Sequence, residues 1–372
     1  MRIDGFGPGG KPNPLKRRPA PASSPLAEVE FPGFNPGNLR QFRYVPDGLK
    51  KAPLVVILHG CTQTATGYDH GAAWSDLAAQ QGFAVLAPEQ KGVNNPGTCF
   101  NWFNPTDVTR GEGEVASIAS MIEDMVKEHD LDPRRVFITG LSAGGAMTAA
   151  MLVCYPELFA GGAIIAGLPY GAADNVMAAL EVMRTAPVKT PHEWGHLARA
   201  ASHHRGAWPR VSLWHGDSDH TVNVGNAQAS LAQWADLDGF KLADARQETV
   251  EGGAVHLTWS NQEGDDQLEI YTVPGLGHGT PIDSAMLGTP GPFILEAGIS
   301  STSRIARFWG LLDAKPAAKP KPVRMMPPAP AAALPRIEVT VSAQHHVRPP
   351  VNAKVEHVIL RALKAAGLMR KR

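Results

Sequence analysis

The stretch Gly140-Leu141-Ser142-Ala143-Gly144 sets a serine between two glycines, directly after the β-branched run 135–139 and ahead of Gly145-Ala146-Met147-Thr148-Ala149-Ala150. A serine on a sharp strand-to-helix turn needs small neighbours, because a side chain at either glycine collides with the adjoining strand or helix. Such a turn lifts the hydroxyl above a sheet and aims the free N–H groups of the helix start at developing negative charge. The chemistry this serves is nucleophilic attack by Ser142. The plainer alternative is a tight turn whose serine caps a helix.

A serine hydroxyl attacks only when a base takes its proton, and the base needs an acid to fix its tautomer. The run 211–214 opens into His215-Gly216-Asp217-Ser218-Asp219-His220-Thr221-Val222, a loop with two carboxylates. Asp219 is the expected acid; Asp217 is the alternative, or else it orders the turn. The run 268–273 leads into Pro274-Gly275-Leu276-Gly277-His278-Gly279, and among 14 histidines His278 is distinguished by its glycine-flanked loop and by completing the order Ser, Asp, His. A tetrahedral oxyanion needs two N–H donors. His59-Gly60-Cys61 follows the run 54–58, so Cys61 N–H and Ala143 N–H are expected to supply them, with an ordinary turn as the other reading of His59-Gly60.

These residues must be carried by alternating elements. Short apolar runs at 54–58, 83–87, 135–139, 163–165, 211–214 and 268–273 are separated by helical stretches. Within 112–129 the residues Val115, Ile118, Ala119, Ile122, Met125 and Val126 form an apolar stripe. Strand and helix in alternation imply a mostly parallel sheet with helices on both faces, and with a serine on a strand-to-helix turn followed by the order Ser, Asp, His the expected class is the α/β-hydrolase fold. Residues 252–267 read as an antiparallel excursion and 169–209 as a helical insertion.

The chain has 372 residues and 43% hydrophobic content, enough for one large core. Residues 1–27 read as a flexible Pro/Gly/Ser-rich leader, 28–313 as the catalytic domain, and 314–350 as a Pro/Ala-rich extended linker. In 351–372, Val351, Val355, Val358, Ile359, Leu363 and Ala366 recur at helical spacing among basic residues. This amphipathic terminal helix is expected to dock on its own domain or a sister subunit, giving a homo-oligomer, with a membrane surface or polymer granule as the alternative.

Lys+Arg and Asp+Glu both total 35, which gives no reason to expect a nucleic-acid partner. No apolar run of about 18 residues predicts a transmembrane segment. No apolar core follows Lys16-Arg17-Arg18, so a cytoplasmic address is the expectation. Three cysteines without ligand spacing predict no metal, and no cofactor is called for.

The set LHGCTQTA, NNPGTCFNWFNP, GLSAGGAMTAAML, YPELFAGGAIIAG, HGDSDHTVN and GLGH resembles the polyhydroxybutyrate depolymerase family of esterases, itself similar to feruloyl and acetylxylan esterases, over about 39–313. The resemblance implies hydrolysis of a carboxylic ester, of polymer or oligomer, through an acyl-enzyme with Ser142, Asp219 and His278 as triad. Removal of feruloyl or acetyl groups from polysaccharide is the alternative within enzymes; an inactive granule-binding protein is the alternative outside them. Members are often secreted, so an extracellular address stands against the cytoplasmic one. In an oxidising compartment Cys61 and Cys99, both on loops facing the expected site, could be bridged; Cys154 is expected as a buried free thiol. Trp102 and Phe103, read as exposed, are candidates for an apolar wall against the acyl chain or polymer, with ordinary packing as the alternative.

Overall fold

The computed structural model describes residues 23–312. The expected linker 314–350 and terminal helix 351–372 lie outside the described residues, as does the leader up to residue 22. The elements run β1 Ala27–Val29, β2 Arg40–Tyr44, β3 Leu54–Leu58, α1 Ala65–Ala72, α2 Trp74–Gln81, β4 Ala84–Glu89, α3 Gly113–Glu128, β5 Val136–Leu141 and α4 Ala143–Cys154. They continue with β6 Gly161–Ile165, α5 Val176–Thr185, α6 Pro191–Ala201, β7 Arg210–Gly216, α7 Gly225–Asp238, β8 Arg246–Thr249, β9 Val255–Ser260, β10 Asp266–Val273, β11 Thr280–Ile282, β12 Ile294–Glu296 and α8 Ser301–Phe308.

Ten strands form one sheet in the order β1-β2-β4-β3-β5-β6-β7-β10-β9-β8. The middle six, β4 to β10 in that order, are mutually parallel. Both flanks are antiparallel: β2 on β4 and β1 on β2 at one side, β9 on β10 and β8 on β9 at the other. Parallel strands need crossovers, and the helices between them cover both faces, so the central strands are apolar throughout instead of alternating. In β3 every residue is buried; Leu54, Val56 and Leu58 face the layer holding α3 and α4, while Val55 and Ile57 face the one holding α1, α2 and α8. In that second layer Trp309 stacks between Phe137 and Trp74, with ring centroids 5.0 and 5.7 Å away.

The expected leader boundary falls inside the packed body. Ser24 Oγ donates to Asp69 Oδ2 over 2.6 Å, Leu26 is buried, and Ala27 pairs with Arg43. The excursion at 252–267 is the β9–β10 hairpin, which gains β8 as an outer strand, and the insertion at 169–209 contains α5 and α6. A capping box at Thr190 and Glu193 starts α6.

The flank beside β7 is fastened by a buried polar cluster. The aromatic rings of Trp214, Tyr271 and His256, cross-strand neighbours on β7, β10 and β9, stack at 3.8 and 4.0 Å. His256 lies 2.9 Å from both Glu248 and Glu269, and Glu269 also accepts from Ser212. Burial opposes charge on the His256 ring, but the two carboxylates outweigh it and hold its pKa above the usual histidine range. A histidine pKa raised by folding stabilises fully below its unfolded value of about 6.5 and loses that contribution as pH rises through the folded one. In His256→Gln, denaturant unfolding measured from pH 5 to 9 is therefore expected to show a smaller stability fall above pH 6.5 than the parent chain.

Candidate active site

β5 delivers its chain directly into Ser142, whose backbone sits at φ 58°, ψ −116°, a strained conformation for a side chain larger than hydrogen. The turn persists because its surroundings are backbone on backbone. A Cβ on Gly140 would lie 2.3 Å from the Gly144 carbonyl oxygen, and one on Gly144 would lie 2.3 Å from that of Leu58. The end of β3 thus presses on the first turn of α4, and only glycine permits the approach. Ser142 N–H donates to the Ile165 carbonyl at 2.9 Å, fixing the turn to β6.

β7 and β10 are parallel neighbours, so their carboxyl ends place the acid and base loops side by side. Asp219 is buried. Its Oδ1 accepts from Thr221 N–H and Val222 N–H at 2.8 and 2.9 Å, and its Oδ2 lies 2.7 Å from His278 Nδ1. Burial works to raise its pKa, yet hydrogen bonds from His215, His278 and Val222 prevail and hold the carboxyl far below the ordinary range. Nδ1 being committed to the acid, Nε2 is the ring nitrogen left for the cavity. Asp217 takes the alternative role of turn-former: it is exposed, and its Oδ1 accepts from Gly275 N–H at 2.7 Å, tying the two loops together. Ser218 N–H adds a second tie to the Leu276 carbonyl.

Cys61, Trp102, Phe103, Ser142 and His278 line one cavity of about 190 Å³. In the loop after β3, Gly60 N–H is taken by Gln63 Oε1 and Thr62 N–H by the Gly97 carbonyl, whereas Cys61 N–H and Ala143 N–H have no acceptor among the described residues. The backbone leaves free the two donors expected for an oxyanion. Cys61 and Cys99 are joined by a disulfide, which links this donor loop to the loop bearing the two aromatics. Cys154 is a buried free thiol donating to the Val108 carbonyl, and burial pushes it up to about 12, where it is inert near neutrality.

Trp102 and Phe103 are not exposed, as their polar surroundings in the sequence imply, but 8% and 9% accessible, with their rings edge-on at 5.6 Å. They are buried because Glu114, in the first turn of α3, pulls their loop inward by accepting from Asn101 N–H and from the side-chain amides of Asn101 and Gln90. Burial, with Asp107 nearby, pushes the Glu114 carboxyl up to about 8. Gln90 also reaches the donor loop: its N–H donates to His59 Nε2 at 3.2 Å, while His59 Nδ1 meets the Gly60 carbonyl at 2.8 Å. Burial lowers the His59 pKa to about 4, so this ring is neutral and structural.

Sequence reasoning missed the cavity's third wall. Val176, Ala179, Leu180 and Met183 of α5 line it at i, i+3, i+4 and i+7, together with Thr221 and Phe293. The helical spacing was available as a signal; nothing in the sequence around Phe293 marked it.

Residues 40–253 match the sequence profile described as esterase PHB depolymerase. The chain belongs to that family. It is a carboxylic ester hydrolase of the α/β-hydrolase fold. Poly(3-hydroxyalkanoate) depolymerase C of Paucimonas lemoignei is 43% identical over 293 residues, covering 77% of this chain and 70% of that protein. Acetylxylan esterase A of Aspergillus oryzae is 32% identical over 270 residues, covering 70% and 86%. Among solved structures, an acetyl xylan esterase from Aspergillus awamori superposes with a TM-score of 0.65 at 26% identity, covering 77% of this chain and 99% of its own. The PHB depolymerase profile ends at residue 253 and so stops short of His278, which the structure nonetheless brings to Asp219. Among the described residues no helix is long and apolar enough to cross a membrane.

Thiol titration of unfolded, unreduced protein is expected to return one thiol, and three after reduction. On the loop-entropy account a bridge across 38 residues stabilises by about 4 kcal/mol. Cys99→Ala should therefore unfold several degrees earlier by calorimetry and lose kcat/KM through a displaced donor loop.

Proposed function

We propose that the chain hydrolyses short hydroxyalkanoate polyesters or their oligomers through an acyl-enzyme on Ser142. The observation that carries this reading is His278, held from behind by the buried Asp219 carboxylate, on the wall of an otherwise apolar cavity that Ser142 also lines. His278 Nε2 accepts the Ser142 proton as the hydroxyl attacks the ester carbonyl. The oxyanion takes the free N–H groups of Cys61 and Ala143, each such donor being worth roughly 3–4 kcal/mol to a transition state. The alcohol leaves with the proton from His278, and water repeats the sequence to release the acid. Asp219 stays ionised because its carboxyl is held low, so it can stabilise the imidazolium throughout the cycle.

Support for the polyester comes from the 43% identity to a poly(3-hydroxyalkanoate) depolymerase and from the cavity, whose walls are Trp102, Phe103 and the apolar face of α5. A volume of about 190 Å³ fits a short acyl unit. The acetylxylan esterase relatives keep carbohydrate deacetylation as the second reading. The disulfide favours an oxidising compartment as the working site, in place of the cytoplasmic expectation.

Ser142→Ala is expected to lower kcat on p-nitrophenyl butyrate by about 10⁴-fold or more while the circular dichroism spectrum is kept. In a panel of hydroxybutyrate oligomers and acetylated xylo-oligosaccharides, the oligomers should show the higher kcat/KM. A preference for the acetylated sugars would replace the first reading by the second. Trp102→Ala should raise KM for butyrate more than for acetate; equal effects would return Trp102 to a packing role.

A further inference from the structure

Phe293 lines the Ser142 cavity on the side of the base. Its ring stands edge-on to the His278 imidazole, with centroids 6.0 Å apart and planes at 75°. Among the described residues no other aromatic ring contacts that of His278. Phe293 is also 38% accessible, whereas Trp102 and Phe103 are 8% and 9%. An aromatic ring left this open beside a base has apolar surface to spare for a ligand.

The backbone holds the ring there under strain. Phe293 has φ 62°, in the left-handed region that an aromatic side chain seldom occupies. The turn around it is closed by Gly291 and Ile294, which exchange N–H to carbonyl bonds at 3.1 and 3.0 Å. Two further ties fix this turn to the catalytic loops. Thr280 N–H donates to the Phe293 carbonyl at 2.8 Å, as β11 runs parallel to β12, and a Cβ on Gly279, next to His278, would lie 2.8 Å from that same oxygen. On the other side Gln63 Nε2 donates to the Pro292 carbonyl at 3.1 Å, while its Oε1 accepts from Gly60 N–H in the donor loop. The ring is thus registered against both the base and the oxyanion donors.

We propose that Phe293 forms the subsite for the leaving alcohol and selects alcohols with an apolar body of several carbons, such as the next hydroxyalkanoate unit of a polyester. This inference rests on the acyl-enzyme reading above. In the first half of that reaction His278 Nε2 gives its proton to the ester oxygen, which must come to about 3 Å from the ring nitrogen. The carbon skeleton attached to that oxygen then lies against whatever flanks the imidazole, and the ring that does so is Phe293. It offers contact area and no hydrogen bond, so it rewards alkyl bulk and not a pattern of hydroxyls. The acyl group, by contrast, meets Trp102, Phe103 and α5.

Initial rates of the full chain on methyl acetate, butyl acetate and methyl butyrate, followed by pH-stat, separate the two sides of the ester. In Phe293→Ala the kcat/KM preference for butyl over methyl acetate is expected to fall at least about fivefold, while the preference for butyrate over acetate is kept. Phe293→Leu, which retains apolar bulk, should keep most of the butyl preference. Phe293→Gly removes the same ring and relieves the left-handed backbone, so it is expected to melt a few degrees above Phe293→Ala. An intact butyl preference in Phe293→Ala would overturn the proposal, as would an equal fall in the acyl preference. A loss in Phe293→Leu as large as in Phe293→Ala would point to a displaced imidazole and overturn it too, and the reverse melting order would remove the strained turn on which the placement depends. Hydrolysis that survives in Ser142→Ala would instead end the acyl-enzyme reading, and this inference with it.

Discussion

The active edge of this molecule is organised around one carboxylate removed from water. Asp219 is ionised inside the protein only because two backbone N–H groups, the His278 ring and the His215 ring surround it. That arrangement dictates the loop after β7: residues 219–222 must curl so that Thr221 and Val222 point their N–H groups back at the side chain. It also dictates where the loop after β10 runs, since a base 2.7 Å from the acid has to approach from the adjacent strand. Gly216 records the closeness of that approach, as a Cβ there would lie 2.1 Å from the Leu276 carbonyl oxygen. The side chain that holds the base and the backbone that carries it are therefore specified together.

What the sequence made legible follows from how local each signal is. The six central strands and the turn at Ser142 rest on contiguous apolar runs and on glycines whose need is set by neighbouring backbone, so reading in sequence order finds them. The flanking strands β1, β2 and β8 are short, half exposed and polar, as in Arg-Gln-Phe-Arg-Tyr of β2, and are strands because a neighbour offers an open edge. Asp219 and Asp217 are two residues apart and of one type; only the tertiary approach of the β10 loop separates their parts, one binding the base and the other binding Gly275. Trp102 and Phe103 misled for the same reason. Their polar neighbours look like solvent-exposed loop, but Asn101 is polar because it must satisfy a buried Glu114, 13 residues downstream.

The donor loop and the aromatic wall are cross-linked to each other twice, by chemically unlike means. The disulfide joins Cys61 to Cys99 covalently, and the chain of contacts from Gly60 through His59 and Gln90 to Glu114 and Asn101 joins the same two loops by hydrogen bonds. Neither route passes through a strand of the sheet except at its end. An oxyanion donor contributes only when it stands within a few tenths of an ångström of its place before the charge develops. A loop held solely by the end of β3 would lack that rigidity, and coupling it to the wall means that closing the cavity and placing the donor are one structural event.

The third wall has a different origin, which bears on how such a site acquires its substrate. α5 belongs to the insertion between β6 and β7, outside the six-stranded frame that carries Asp219, His278 and Ser142, the proposed acid, base and nucleophile. Its C-terminal turn is pinned to the segment after the acid loop, with Asn223 N–H donating to the Met183 carbonyl and Asn226 Nδ2 to that of Val182. Its apolar face is thus registered against the catalytic loops although it contributes nothing to proton transfer. Val176, Ala179, Leu180 and Met183 line the cavity, and none of them takes part in the hydrogen bonds of Asp219. On the proposed reading the two parts divide the work: the six-stranded frame holds the groups that would cut the ester, and the helix laid over it bounds the space left for the acyl group.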